Sequence, residues 1–412
     1  MGIAQIGRII LLSLLAAIIV FVIIEAKPSK ATKGSPVILV PGDGGNQLWA
    51  TLNKSSTVHY LCTKKSDLYN LWLNLEELFP YLIECFVDNI IMQYDNKTRT
   101  IHDAPGVNVY LKDFGNTSTV EWLDPSQVTL AKYFVGLVNA LVKVGYERGV
   151  SVRGAPFDFR RAPHDDGGWG VALKHLIEDT YKINGNRKVV LISHSLGGPF
   201  TLYFLNKMTP DWKNKFLESF VPIAAPFAGA TKIKRMFSSG DNFDEYVINA
   251  ITVRPAQRTY PSSAFLLPSS KYWDDDEVLM YTPKFNYTVN DYKKFFMDLG
   301  CPSCWDLTVD TKDLIHDLRA PGLPVYGIHG RDVDTEEQYT FDASHKFPDA
   351  QPVIKFGQGD GTVNMRSLKS YLKWRKEQKA PVTEYEIPGG EHLAILQNAT
   401  LHQYIIHNIL KL

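Results

Sequence analysis

Net charge is the first thing this 412-residue chain lacks: 44 basic side chains offset 44 acidic ones. No global field therefore recruits nucleic acid, and none is expected as a partner. Internal repeats and low-complexity segments are absent as well, which removes solenoids and arrays from consideration. Cysteine is scarce, at four residues. Cys301-Pro-Ser-Cys304 has no second such pair to complete a metal cage, so a local disulfide or two inert thiols is expected there. Extended apolar runs are missing except from Ile9 to Ile24, broken only by Ser13. That run is short for a bilayer span of about twenty residues. With Arg8 before it and Ala26 after it, residues 1–26 read as an export signal, with a retained anchor as the rival.

What is present describes a well-cored α/β protein. Hydrophobic residues make up 45% and charged residues 21%, and residues 35–412 are expected to form one decorated domain. Five Asn-x-Ser/Thr sequons, at Asn53, Asn96, Asn116, Asn286 and Asn398, suit an exported glycoprotein. Four cysteines suit the same oxidising route. Short apolar strands at 37–40, 220–224, 325–328, 353–356 and 383–387 alternate with helical stretches at 130–144 and 199–207. Such alternation predicts a mostly parallel sheet covered by helices, with its active site at the carboxyl ends of the strands.

One segment identifies the chemistry. The β-branched run Lys188-Val-Val-Leu-Ile192 breaks at Ser193-His194-Ser195-Leu196-Gly197, and helix-compatible sequence follows. This is the strand–turn–helix context of a nucleophile elbow, in which a strained turn lifts the hydroxyl of Ser195 clear of the sheet. Serine stands at 193 where glycine is usual, a small change in volume. The hydroxyl needs a base and the base an orienting acid, in the order serine, acid, histidine. Among eleven histidines, His392 follows a strand and the turn Pro388-Gly-Gly-Glu391, where the base belongs. His194 adjoins the nucleophile but points the other way, and His402 and His407 fall in a helical pattern. For the acid, Asp332 and Asp334 after one strand compete with Asp360 in the glycine-flanked loop Phe356-Gly-Gln-Gly-Asp360-Gly-Thr-Val363. Sequence order favours Asp360.

The chain resembles the lecithin–cholesterol acyltransferase family, which has an α/β-hydrolase fold. The resemblance runs from about residue 35 to the C-terminus. It rests on Pro41-Gly-Asp-Gly-Gly-Asn-Gln-Leu48, Trp72-Leu-Asn-Leu-Glu76, Arg153-Gly-Ala-Pro-Phe-Asp-Phe-Arg-Arg-Ala-Pro163, the serine elbow, Ala225-Pro226, Gly240-Asp-Asn242, Gly359-Asp-Gly-Thr-Val-Asn364 and Glu391-His392. It implies Ser195, Asp360 and His392 as the triad, and an oxyanion hole from the backbone N–H groups of Asp43 and Leu196. It further implies a calcium-independent phospholipase A and acyltransferase, without cofactor or metal. Its partners would be phospholipid membranes and a lipid acyl acceptor such as ceramide. Its destination would be the lysosome or, as the alternative, outside the cell. A sterol acyltransferase or a neutral-lipid lipase is the rival activity. Two departures stand out: the CxxC, and Phe159 where relatives usually carry tryptophan.

Between Cys62 and Cys85 the apolar residues Leu68, Leu71, Trp72, Leu75, Leu78, Phe79, Leu82, Ile83, Phe86 and Val87 recur at helical spacing. Pro80 should divide this stretch into two short helices. By resemblance, 57–95 is a membrane-binding insertion clamped by a Cys62–Cys85 disulfide, with Trp72 and Leu73 meeting lipid. Burial against the main domain is the competing account. Residues 228–300 are expected to form a lid or cap, whose Lys232, Lys234 and Arg235 could face anionic headgroups or plain solvent.

Overall fold

A computed structural model describes residues 34–412 except 80 and 243–247, so the expected export signal lies outside the described residues. Six strands form the central sheet: β1 (Val37–Val40), β2 (Val152–Gly154), β3 (Val189–His194), β4 (Leu217–Ile223), β5 (Val325–Arg331) and β6 (Val382–Pro388). Their spatial order is β6-β5-β4-β3-β1-β2, and every neighbouring pair is parallel. β1 and β3 are buried along their whole length, which is why they read as unbroken apolar runs rather than alternating ones. One core lies on each side: Ile38, Val40, Leu191 and Phe220 belong to one cluster, and Val37, Leu39, Ile192 and Val221 to the other. This is the α/β-hydrolase architecture.

Two expectations about strands are corrected. Residues 353–356 do not join the central sheet. They begin a strand, Val353–Gly359, that pairs antiparallel with Val333–Thr340 in a separate four-stranded sheet. The helix expected before Pro80, from Leu68 on, also fails, since Lys65–Trp72 is a strand paired antiparallel with Leu48–Asn53. Spacing in a short apolar stretch cannot separate strand from helix, and a partner strand decided the matter. Among the described residues of 57–95, Ile83–Ile90 is the one α-helix. It packs through Ile83 and Val87 against Ile248 and against Val253 of the helix Ala250–Gln257.

The Cys62–Cys85 disulfide that the resemblance implies is present, and Cys301–Cys304, open between a disulfide and two thiols, is a disulfide as well. Closing the former, over a separation of 23 residues, stabilises the fold by on the order of 3 kcal/mol on the chain-entropy estimate.

Candidate active site

β3 ends at the elbow, where Ser195 adopts φ 49° and the helix Gly197–Lys207 follows at once. A left-handed serine is strained, and the packing around it holds it there. Gly197 shows how: a Cβ at that position would lie 2.1 Å from the carbonyl oxygen of Pro41, so only glycine lets the loop after β1 approach the elbow. That approach sets Gly42 and Asp43 beside the serine. Ser193, in the position glycine usually fills, is fully buried, and its hydroxyl finds no partner among the described residues.

Ser195, His392 and Asp360, far apart in sequence, converge. Nε2 of His392 is 2.9 Å from the Ser195 hydroxyl, and its Nδ1 is 2.8 Å from Oδ2 of Asp360. Asp360 is wholly buried, and its other carboxylate oxygen accepts the N–H groups of Thr362 and Val363 at 3.1 and 2.7 Å. Its backbone carbonyl accepts from His392 N at 2.8 Å, which fixes the loop as well as the ring. The rival acids do not reach this cluster. Asp332 is exposed and pairs with Arg331, and Asp334 points to solvent from its strand.

His194 serves as a brace. A backbone carbonyl only accepts, so His194 Nε2–H donates to His392 O at 2.8 Å, and Nδ1 must then accept from the Tyr133 hydroxyl. The Tyr133 oxygen in turn accepts from Gly42 N at 2.9 Å. One chain of hydrogen bonds thus joins the loop after β1, the elbow and the histidine loop. Burial first, then the neighbouring His392, push the His194 imidazole well below 6.5, so it stays neutral. Tyr133→Phe would strand the Gly42 N–H and the His194 nitrogen, costing about 1–3 kcal/mol. We expect a lowered melting temperature together with a reduced kcat, measured on one preparation.

The N–H groups of Asp43 and Leu196 have no acceptor among the described residues, as donors awaiting an oxyanion would. Asp43 is exposed to solvent, although protein atoms crowd around its carboxyl. Burial, and secondarily the charge of Asp241, push its carboxyl up from 3.8 to about 7. Glu77 in the insertion is likewise raised by burial from 4.5 to about 7, and its Oε2 has no partner among the described residues. Both folded-state values exceed the unfolded ones. Their contribution to stability is therefore fully present below the unfolded values, near 4, and is lost as pH rises through about 7. Solvent screens the exposed Asp43, so most of the effect rests on Glu77: the melting temperature should fall slightly between about pH 5 and about pH 8, and Glu77→Gln should flatten most of that slope.

Other candidate residues are placed differently from expectation. Trp72 is only 8% exposed and cannot meet a bilayer. Its indole donates to Gly44 O at 2.8 Å and packs against Phe86 and, edge-on, Phe159, so it supports the loop carrying Asp43. Leu73 is half-buried between the two cores. Lys232, Lys234 and Arg235 are not a basic face for headgroups either. Lys232 pairs with Asp241 at 3.3 Å, and Arg235 with Glu336 at 2.7 Å. Lys234 is wholly buried, donating to the carbonyls of Tyr287 and Thr288.

Neither the cavity beside the helix Pro302–Thr311 nor the carboxylate-rich corner marks the chemistry. A cavity of about 330 Å³, walled by Phe265, Tyr292 and Trp305 among others, includes no residue of the cluster. His329, Glu384 and Glu386 bring ligand atoms within 4.8 Å of one another, but Lys369 already holds Glu386 at 2.6 Å and Glu384 at 3.4 Å. It reads as an ion-pair cluster.

Comparison with known proteins agrees with the geometry. The lecithin:cholesterol acyltransferase family profile matches residues 68–317 and 311–399. The lysosomal phospholipase A and acyltransferase of Rattus norvegicus is 43% identical, covering 91% of this chain and 90% of its own. The Homo sapiens protein of that name is 42% identical over the same shares, 91% and 90%. The phosphatidylcholine-sterol acyltransferase of Gallus gallus is 37% identical, over 92% and 91%. Among solved structures, a chain from the Tle4–Tli4 complex superposes with a TM-score of 0.53 at 12% identity, over 92% of this chain and 98% of that one, a likeness of fold alone. With relatives this similar along nearly its whole length, the chain belongs to the lecithin:cholesterol acyltransferase family.

Proposed function

We propose that the protein is a serine phospholipase A and acyltransferase. The observation that carries this is the Ser195–His392–Asp360 relay lying beside two free backbone donors, Asp43 N–H and Leu196 N–H. In this reading His392 Nε2 takes the Ser195 proton as the oxygen attacks an acyl ester carbonyl of a glycerophospholipid. Asp360, held by two backbone N–H groups, keeps Nδ1 protonated and steadies the imidazolium. Asp43 and Leu196 donate to the oxyanion, and lysophospholipid departs with the proton returned by His392. The acyl-enzyme then passes its acyl group to water or to a lipid alcohol such as ceramide. Higher identity to the phospholipase A and acyltransferase relatives than to the sterol acyltransferase favours this over a sterol acceptor.

An upward-shifted Asp43 carboxyl, neutral at acidic pH, supports work in an acidic compartment, since ionisation beside the oxyanion hole would oppose negative charge developing there. We read the lysosome as the destination, with secretion as the alternative. Export by residues 1–26 and glycosylation belong to the same reading. Asn53, Asn96, Asn116 and Asn286 are exposed and open to a glycan, whereas Asn398 is half-buried and its side-chain oxygen caps the helix Ala399–Tyr404.

For membrane contact we propose other residues of the insertion than Trp72 and Leu73. Tyr60, Leu61, Phe79 and Tyr81 are 87%, 49%, 66% and 76% exposed. The Cys62–Cys85 bridge holds these two apolar tips near each other. The decisive assay is mass spectrometry of products from mixed-chain phospholipid liposomes containing ceramide, at acidic and neutral pH. Released fatty acid and acylated ceramide, both blocked by a fluorophosphonate on Ser195, are the expected result. Transfer to cholesterol in preference to ceramide would instead favour the sterol reading.

A further inference from the structure

The Cys301–Cys304 disulfide takes no part in the acyl chemistry, and its placement differs from that of a purely structural bridge. Cys301 is the N-cap of the helix Pro302–Thr311, and Cys304 lies in the first turn of that helix. The two sulfurs differ in access: Cys301 is half-exposed, whereas Cys304 is completely buried. Only three positions separate the pair, so the bridge constrains far less unfolded chain than Cys62–Cys85, whose separation is 23. The first turn of a helix favours negative charge on sulfur, which offsets part of the cost of a thiolate at the buried Cys304. A place is also ready for the opened form, since Sγ of Cys304 lies 3.4 Å from the carbonyl oxygen of Arg258, which can accept an S–H.

We propose that Cys301–Cys304 is a thiol–disulfide exchange site for small thiols, with Cys301 the attacked sulfur and Cys304 the buried resolving one. A thiolate such as that of glutathione attacks Sγ of Cys301. The new sulfur–sulfur bond forms as the Cys301–Cys304 bond breaks, and Cys304 leaves as a thiolate that takes a proton. A second thiol attacking the mixed disulfide releases oxidised glutathione and the Cys301 thiolate, completing a two-electron reduction. Return attack by Cys304 on the mixed disulfide restores the bridge and expels glutathione.

The full-length protein is held in graded mixtures of reduced and oxidised glutathione, quenched with iodoacetamide and mapped by peptide mass spectrometry. Near-ultraviolet circular dichroism reports the folded state throughout. Cys301–Cys304 should open at a reduced-glutathione concentration about tenfold below that needed for Cys62–Cys85, with the dichroism unchanged. Cys304→Ser should carry glutathione on Cys301, while Cys301→Ser should leave Cys304 unmodified until denaturant is added. Opening of both bridges together, or of Cys301–Cys304 only in denaturant, would overturn the proposal. A folded Cys304→Ser protein that takes up no glutathione would do the same.

Discussion

Ser195→Ala should abolish phospholipid hydrolysis and acyl transfer together, because both pass through one acyl-enzyme. Losses on the order of 10⁴–10⁶-fold are expected for a triad nucleophile or base. Asp360→Asn should cost nearly as much. The amide keeps an oxygen for the Thr362 and Val363 N–H groups, but it turns a donor toward His392 Nδ1 and so favours the wrong tautomer for accepting the Ser195 proton. Asp332→Asn and Asp334→Asn supply the contrast. Asp332 is engaged with Arg331 at the surface and Asp334 faces solvent, so both variants should keep most activity. Rates on one phospholipid substrate, with melting curves for each variant, check all four. A dead Asp332→Asn enzyme with normal stability would transfer the acid role away from Asp360.

The elbow was readable from sequence because local chemistry dictates it. A β-branched run, a small-residue turn and a following helix leave a serine no other arrangement, and the described turn has Ser195 at φ 49°. Asp360 was only favoured by chain order, and the hydrogen bond to His392 across 32 residues needed the fold. The Gly42–Tyr133–His194–His392 chain was not readable at all. Tyr133 stands 61 positions from its histidine, and nothing in an aromatic residue on a helical pattern announces such a partner. A buried histidine beside the nucleophile was the one signal that could have prompted a search for it. The cations at 232–235 misled for a related reason: a run of Lys and Arg looks solvated until Asp241, Glu336 and two carbonyls are folded onto it.

The insertion shows the same limit, and it yields the sharpest test. Its apolar residues were legible as a group, but which of them face outward depends on strand pairing. Lys65–Trp72 became a strand against Leu48–Asn53, which turned Trp72 inward onto Gly44 and left Phe79 and Tyr81 outside. Phe79→Ser with Tyr81→Ser should therefore weaken liposome binding by one or two orders of magnitude, since two aromatic rings at about 25 cal/mol per Å² contribute a few kcal/mol of interfacial burial. Activity on liposomes should fall in proportion, while hydrolysis of a short water-soluble ester and the melting temperature should hold. Trp72→Ser should behave in the opposite way. Removing a buried indole and its hydrogen bond to the Asp43 loop costs about 3–5 kcal/mol, so melting temperature and soluble-ester activity should drop together. Should the Phe79/Tyr81 variant bind liposomes normally, the exposed tips are not the docking surface, whatever the fate of Trp72.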